Sequence, residues 1–224
     1  MSSITELDKL TRSSRRREFE DGLMDFVFGA IFLFISLFGS FFFSSIGLRW
    51  YLTSVLQNRT MTILGLIISL LLLFACIAGA KRMIERVRRN LLWKYQGFVK
   101  SLRWQVSWQI NALAVSVLIA MLMLAVWFMS MGFISQVIIL RTLVSATGVA
   151  SGIIFWGMGR ELELHRYQWV GAAGGVLSIF IILMPISFSV SWLAFGIVWT
   201  LVLCISGFWA LRKTLAALGE QNRA

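Results

Sequence analysis

The chain alternates long apolar stretches with short clusters of charge. Asp25 and Arg49 enclose 23 uncharged residues, and Arg59 and Lys81 enclose 21. A helix that crosses the hydrocarbon core of a bilayer needs about 20 predominantly apolar residues. Each stretch therefore predicts one transmembrane helix.

Two longer apolar stretches each predict a pair of helices. From Trp104 to Gly159 the only charged residue is Arg141, and one helix of that length would extend over about 80 Å. We expect this stretch to fold back at residues 130–132, Ser-Met-Gly. The 45 uncharged residues 167–211 are expected to fold back near Pro185, the only proline of the chain.

These stretches predict an all-α integral membrane protein with six transmembrane helices arranged as three hairpins. The expected spans are residues 23–46, 61–80, 108–130, 134–158, 168–186 and 191–211. They form a membrane domain of residues 22–211, which contains a basic cytoplasmic loop, 81–107, and lies between a basic tail, 1–21, and a C-terminal tail, 212–224.

The composition excludes an ordinary soluble domain. Of the 224 residues, 58% are hydrophobic and 14% charged, and the mean hydropathy is +0.82, whereas soluble domains carry about 25% charged residues. Six spans leave only about 90 positions for tails and loops, too few for a soluble catalytic domain. The charged tail before the first span predicts that this span is not a cleaved signal peptide.

The distribution of Lys and Arg predicts the orientation. The net charge is +11, and 18 of the 21 basic residues fall in the tails and in the loops on one side of the predicted spans. Only Arg49 and Arg59 lie on the other side, and Arg141 is embedded. Because short basic loops stay in the cytoplasm, we expect both termini there, in a multi-pass protein of the cell (inner) membrane. The expected partner of this charge is the anionic inner leaflet and not nucleic acid.

Arginines recur near the start of each predicted hairpin. Arg17, Arg89 and Arg160 are 72 and 71 residues apart. This spacing is consistent with a triplicated unit, but it is also what helices entering from a basic interface produce. The two interpretations stay open.

The first span opens with a cluster of carboxylates, Glu20, Asp21 and Asp25. Acidic residues are favoured at a helix N-terminus, and Asp21 is the expected N-cap. The alternative is that Asp25 binds a proton or a cation just inside the membrane.

The run of residues 19–25, Phe-Glu-Asp-Gly-Leu-Met-Asp, resembles the opening of the first span in a group of uncharacterised multi-span bacterial and archaeal membrane proteins. Those proteins also tend to carry a Pro-Arg-x-Gly-Tyr-Val-like segment before a later span. The corresponding residues here, 95–100, lack the Pro-Arg pair. The resemblance implies no activity.

The loop 81–107 combines basic residues with an amphipathic pattern. Residues 91–108 place apolar side chains at intervals of three to four, as in an interfacial helix. The alternatives are plain anchoring, or a docking surface for a cytoplasmic partner such as the ATPase of a transporter or for an acidic lipid. The candidate lipid or partner contacts are Arg82, Arg86, Arg88, Arg89, Lys94, Lys100 and Arg103.

Small residues recur every four positions in the last three spans. They let helix backbones approach closely, and lining of a substrate pocket is the alternative. The positions are Gly148, Gly152, Gly171, Gly175, Gly196, Thr200 and Cys204.

Arg141 is the candidate functional residue within a span. With a turn at Gly132 it lies nine residues further along, about 13 Å along the axis. A charge at that depth faces the bundle interior, pairs with a counter-charge, binds an anion or extends to the interface.

The expected function is that of a non-enzymatic transporter or a membrane subunit of a transport complex, with an ATPase, another membrane subunit or a second copy as partner. The alternatives are a structural or regulatory subunit and a lipid-modifying enzyme. The residues available to such an enzyme are Glu20, Asp21, Asp25, Glu161, Glu163 and His165. No cofactor is expected, because one histidine cannot form a multi-histidine metal or haem site and no phosphate-binding or dinucleotide motif is visible.

Topology is directly testable with introduced cysteines. Cysteines at Ser3 and Asn222 should resist an impermeant thiol reagent in intact cells, whereas a cysteine at Leu56 should react, because positive-inside retention keeps both termini cytoplasmic. Labelling of both termini from outside the cell would reverse the topology.

Overall fold

The computed structural model describes residues 16, 19–57, 59–87, 107–133 and 135–221. Within these residues the secondary structure is entirely helical. The helices are α1 (Leu23–Phe42), α2 (Ser45–Gln57), α3 (Arg59–Val87), α4 (Trp108–Ser130), α5 (Gln136–Glu161), α6 (His165–Leu183) and α7 (Phe188–Gln221).

Five helices in the described part of the chain are long and apolar enough to cross a membrane: α1, α4, α5, α6 and residues 188–217 of α7. This is the composition of an all-helical, multi-pass membrane protein. The predicted span 61–80 lies within α3, which is not among the five. Six spans therefore stay a prediction.

The central helices are α1, α5, α6 and α7. The most extensive interfaces join α6 to α5 and α1 to α7, and α4 packs against the outside of α5. At one end of this bundle lie the N-termini of α1, α4 and α6, and we call it the Asp25 end. The opposite end, where α6 connects to α7, is the Pro185 end.

The expected arrangement as three hairpins is wrong for the first span. Helix α1 packs mainly along α7, the last helix, and makes few contacts with α3. Hydrogen bonds between the two antiparallel helices join Thr200 Oγ1 to the Gly29 carbonyl at 2.9 Å and Ser40 Oγ to Ser189 Oγ at 3.2 Å. The hydroxyl groups and small residues of this interface come from opposite ends of the sequence. Proximity along the chain therefore did not indicate that α1 packs on α7.

The first span is also shorter than the predicted 23–46. Helix α1 ends at Phe42, and Ser44 begins a separate helix, α2, by accepting the Gly47 amide at its hydroxyl, 3.0 Å away. A serine hydroxyl satisfies an amide that has no partner in the first turn of a helix. This cap therefore divides the predicted span 23–46 between two helices, α1 and α2.

The two long apolar stretches fold back at the expected positions. Helix α4 ends at Ser130, and Gly132 adopts a φ of +77°, which glycine accepts without steric cost. The Phe133 amide then bonds to the Phe128 carbonyl at 3.0 Å, closing the helix end. Residues 184–187, around Pro185, are non-helical.

Glycines bring the backbones of α5 and α6 into contact. A Cβ on Gly152 would lie 2.6 Å from the Gly171 carbonyl oxygen, and a Cβ on Gly148 would lie 2.1 Å from Ser178 Oγ. Between helices in a bilayer, van der Waals packing replaces the hydrophobic effect as the source of association. The prediction that small residues let helix backbones approach closely is therefore confirmed at the interface of α5 and α6.

Aromatic rings fill the space between the four central helices. The Trp199 ring lies 5.0 Å from that of Phe32 and 5.4 Å from that of Phe155, both stacked. The fully buried Trp199 donates its indole N–H to Ser178 Oγ at 3.1 Å. The core is thus closely packed, and its buried indole N–H is satisfied.

Replacing Gly152 with Ala should destabilise the protein by about 1–3 kcal/mol, because the new methyl group overlaps the backbone of α6. Gly79→Ala is the control, since nothing lies within 4 Å of a Cβ at that position. The free energy of unfolding in mixed micelles, measured by detergent titration, compares the two. Equal stabilities would refute the close approach of α5 and α6.

Candidate functional site

A charged group is buried at the start of α1. Asp25 lies in the first turn of this helix and its side chain is 0% exposed. Gly22 precedes the helix with a φ of +76°, and a Cβ there would lie 2.4 Å from the Gly207 carbonyl oxygen. The start of α1 therefore lies directly on the backbone of α7, and only glycine fits at this position.

Three side chains from two other helices donate hydrogen bonds to the Asp25 carboxylate. Oδ2 accepts from Arg166 Nη1 at 2.9 Å and from Ser206 Oγ at 2.8 Å, and Oδ1 accepts from the Tyr167 hydroxyl. Arg166 and Tyr167 begin α6, and Ser206 lies on α7. We call Asp25, Arg166, Tyr167 and Ser206 the Asp25 cluster.

The guanidinium of Arg166 contacts two further groups besides the Asp25 carboxylate. Its side chain is 11% exposed. Nη2 donates to the Phe19 carbonyl, and Cζ lies 4.7 Å from the centroid of the Tyr167 ring, a cation–π distance. The arginine therefore links the segment before α1 to the start of α6.

The two charges of the cluster are paired with each other, and only Arg166 Nε among their buried polar atoms has no hydrogen-bond partner among the described residues. A carboxylate or a guanidinium alone inside a membrane costs several kcal/mol, whereas a pair with satisfied hydrogen bonds avoids most of that cost. Both carboxylate oxygens of Asp25 already accept from protein donors. This geometry joins three helices, and the proton or cation role considered for Asp25 from the sequence stays a prediction.

The other two predicted carboxylates have separate roles. Asp21 is buried and its Oδ1 accepts the Leu23 amide at 3.0 Å. The N-cap position itself belongs to Gly22, so the expected N-cap is displaced by one residue, because a left-handed residue was needed where α1 meets α7. Glu20 is exposed and lies 3.5 Å from Arg16.

The groups considered for a lipid-modifying enzyme do not converge on Asp25. His165 and Glu163 are exposed, and Glu161 accepts the Ser107 amide at 3.3 Å, which joins α5 to the start of α4. Among the residues that the structure describes, no group of three or more His, Cys, Asp or Glu side chains is placed to hold a metal ion.

Arg141 lies nearer to the helix start than expected. Helix α5 begins at Gln136 and not directly after the glycine turn, so Arg141 is about 8 Å along its axis instead of 13 Å. The side chain is partly buried. Its Nε is shielded from solvent and has no hydrogen-bond partner among the described residues.

The predicted lipid or partner contacts divide into two sets. Arg82 and Arg86 are exposed on the last turns of α3, which continues as a helix to Val87. The other five, Arg88, Arg89, Lys94, Lys100 and Arg103, lie outside the described residues, as does most of the predicted interfacial helix 91–108.

Sequence reasoning missed three members of the Asp25 cluster. Arg166 and Tyr167 were noted only as a loop charge and as part of a pattern that recurs 72 residues after Lys94 and Tyr95, and Ser206 was not singled out. One signal was present: Asp25 is the only acidic residue between Asp21 and Glu85, and a carboxylate at the edge of a span requires a cation from another helix. The sequence alone does not choose among Arg160, Arg166 and Arg212.

No protein-family model matches this chain, and neither the curated proteins nor the solved structures contain a match. The resemblance of the first span to other membrane proteins therefore stays an expectation.

Removing Arg166 should destabilise the protein strongly. Arg166→Gln leaves the Asp25 carboxylate buried without its cation, which should lower the free energy of unfolding by about 3–5 kcal/mol. Glu20→Gln, which disrupts only the exposed pair with Arg16, is the control and should cost at most about 1 kcal/mol. Detergent titration of both variants measures the difference, and similar small losses would contradict a buried pair.

Proposed function

We propose that this protein is a membrane subunit of a larger transport complex. In this proposal α3 is the sixth span, both termini are cytoplasmic, and the protein resides in the cell (inner) membrane. The central four-helix bundle is the rigid part, and the basic region that begins on α3 contacts the partner.

The observation that carries the proposal is the filling of the central bundle by large side chains. Trp199, Tyr167 and Phe195 are among its largest fully buried residues, and the polar groups of the Asp25 cluster bond to one another. A self-contained transporter places polar residues around a substrate site near the bilayer midplane. A core occupied by stacked rings favours a scaffold over a central solute pathway.

The length of α3, its few contacts with the central bundle and its exposed arginines support the same proposal. This helix has 29 residues, about 43 Å at 1.5 Å per residue, which exceeds the roughly 30 Å of the hydrocarbon core. It packs against little of the central bundle. Its last turns carry the exposed Arg82 and Arg86, so a long, loosely attached helix presents positive charge beyond its apolar part.

Site-specific photo-crosslinking tests the proposal in native membranes. A crosslinker at Arg86 should form an adduct with a nucleotide-hydrolysing subunit, and Arg82→Gln with Arg86→Gln should reduce the membrane-bound nucleotide hydrolysis that depends on this protein, because both changes remove charge from the contact. A crosslinker at Trp169, 76% exposed on the first turns of α6, is the control and should give no such adduct.

Two results would contradict the subunit assignment. One is solute transport by the purified protein alone after reconstitution into liposomes, which would identify a self-contained transporter. The other is an Arg86 adduct pattern identical to that of Trp169, which would leave the structural or regulatory role as the better assignment.

A further inference from the structure

Arg141 is an isolated positive charge at the Pro185 end of the bundle. It lies about 8 Å from the start of α5, on the opposite side of the membrane domain from the Asp25 cluster. Along α5 the nearest acidic residue is Glu161, about 30 Å away along the helix axis. Arg141 therefore has no carboxylate within reach on its own helix.

The packed neighbours of α5 supply no counter-charge either. The sequence contains no Asp or Glu between Asp25 and Glu85, between Glu85 and Glu161, or between Glu163 and Glu220. Helices α4 and α6 therefore have no acidic residue, and the described carboxylates of α1 and α5 lie in their terminal turns at the Asp25 end. Asp25 is already bonded to Arg166. Among the described residues, these helices therefore offer Arg141 no carboxylate partner.

The Nε of Arg141 is shielded from solvent and has no hydrogen-bond partner among the described residues, a state that Arg166 Nε shares. The hydroxyl of Ser145, one helical turn further along α5, also has no partner among these residues, but this residue is 0% exposed and is not open to a ligand from the surface. The adjacent Thr142 differs, because its hydroxyl donates to the Ile138 carbonyl at 2.9 Å.

We propose that Arg141 binds the phosphate group of an anionic ligand at the Pro185 end of the membrane domain. A guanidinium is always charged and presents a planar set of donors that matches phosphate oxygens. Because Arg141 is only partly buried, a phosphate reaches it from the surface of the bundle. A phospholipid headgroup and a free phosphate share this chemistry. The site is independent of the proposed subunit role.

Binding is measured on the purified full chain after delipidation. In micelles of a phosphate-free detergent, a phosphatidylglycerol should shift the Nε–H resonance of Arg141, which is assigned by its absence in Arg141→Lys. A diacylglycerol of the same chains should not shift it. The purified Arg141→Gln variant should retain at least about 10-fold less phosphatidylglycerol than the unaltered protein. Arg160→Gln, which removes an exposed arginine at the other end of α5, is the control and should retain as much as the unaltered protein.

A further measurement identifies whether the phosphate comes from a lipid headgroup or from a free anion. Inorganic phosphate added to the delipidated protein should shift the same resonance only if the site accepts a free anion, and a shift with the lipid alone identifies a headgroup site. The proposal is overturned if neither ligand shifts the Arg141 signal, or if Arg141→Gln and Arg160→Gln retain equal amounts of lipid.

Discussion

The burial of Asp25 is the constraint on which the arrangement of the central helices depends. A carboxylate inside an apolar environment requires a cation and hydrogen-bond donors at fixed positions. Those donors come from the start of α6 and from the second half of α7. Satisfying one side chain therefore fixes the register of three helices, and it explains why the first helix lies against the last.

The remaining contacts extend that register towards the Pro185 end. Gly22, in the left-handed conformation, lets α1 begin on the backbone of α7, and the Thr200 hydroxyl reaches the Gly29 carbonyl two turns further on. Beyond this second contact, towards the Pro185 end, the rings of Phe32 and Trp199 stack. The ion pair at one end and the close packing along the axis therefore hold α1 and α7 together over most of the length of α1.

The sequence predicted the parts of the fold that depend on local chemistry. The bounds 108–130 for one span, the turn at Gly132 and the break at Pro185 follow from apolar length and from residues that end helices. It did not predict the packing of α1 on α7, or Arg166 as the partner of Asp25. Both depend on contacts between residues some 140 or more positions apart, and a single sequence gives no distances across the bundle.

A double-mutant cycle tests the central claim most directly. The free energy of unfolding is measured for Asp25→Asn, Arg166→Gln and the two together. If the buried pair fixes the bundle, each single change leaves an uncompensated group, and the double variant should lose less than the sum of the two, with a coupling of about 1–3 kcal/mol. Additive losses would mean that the two charges do not depend on each other, and would contradict the account.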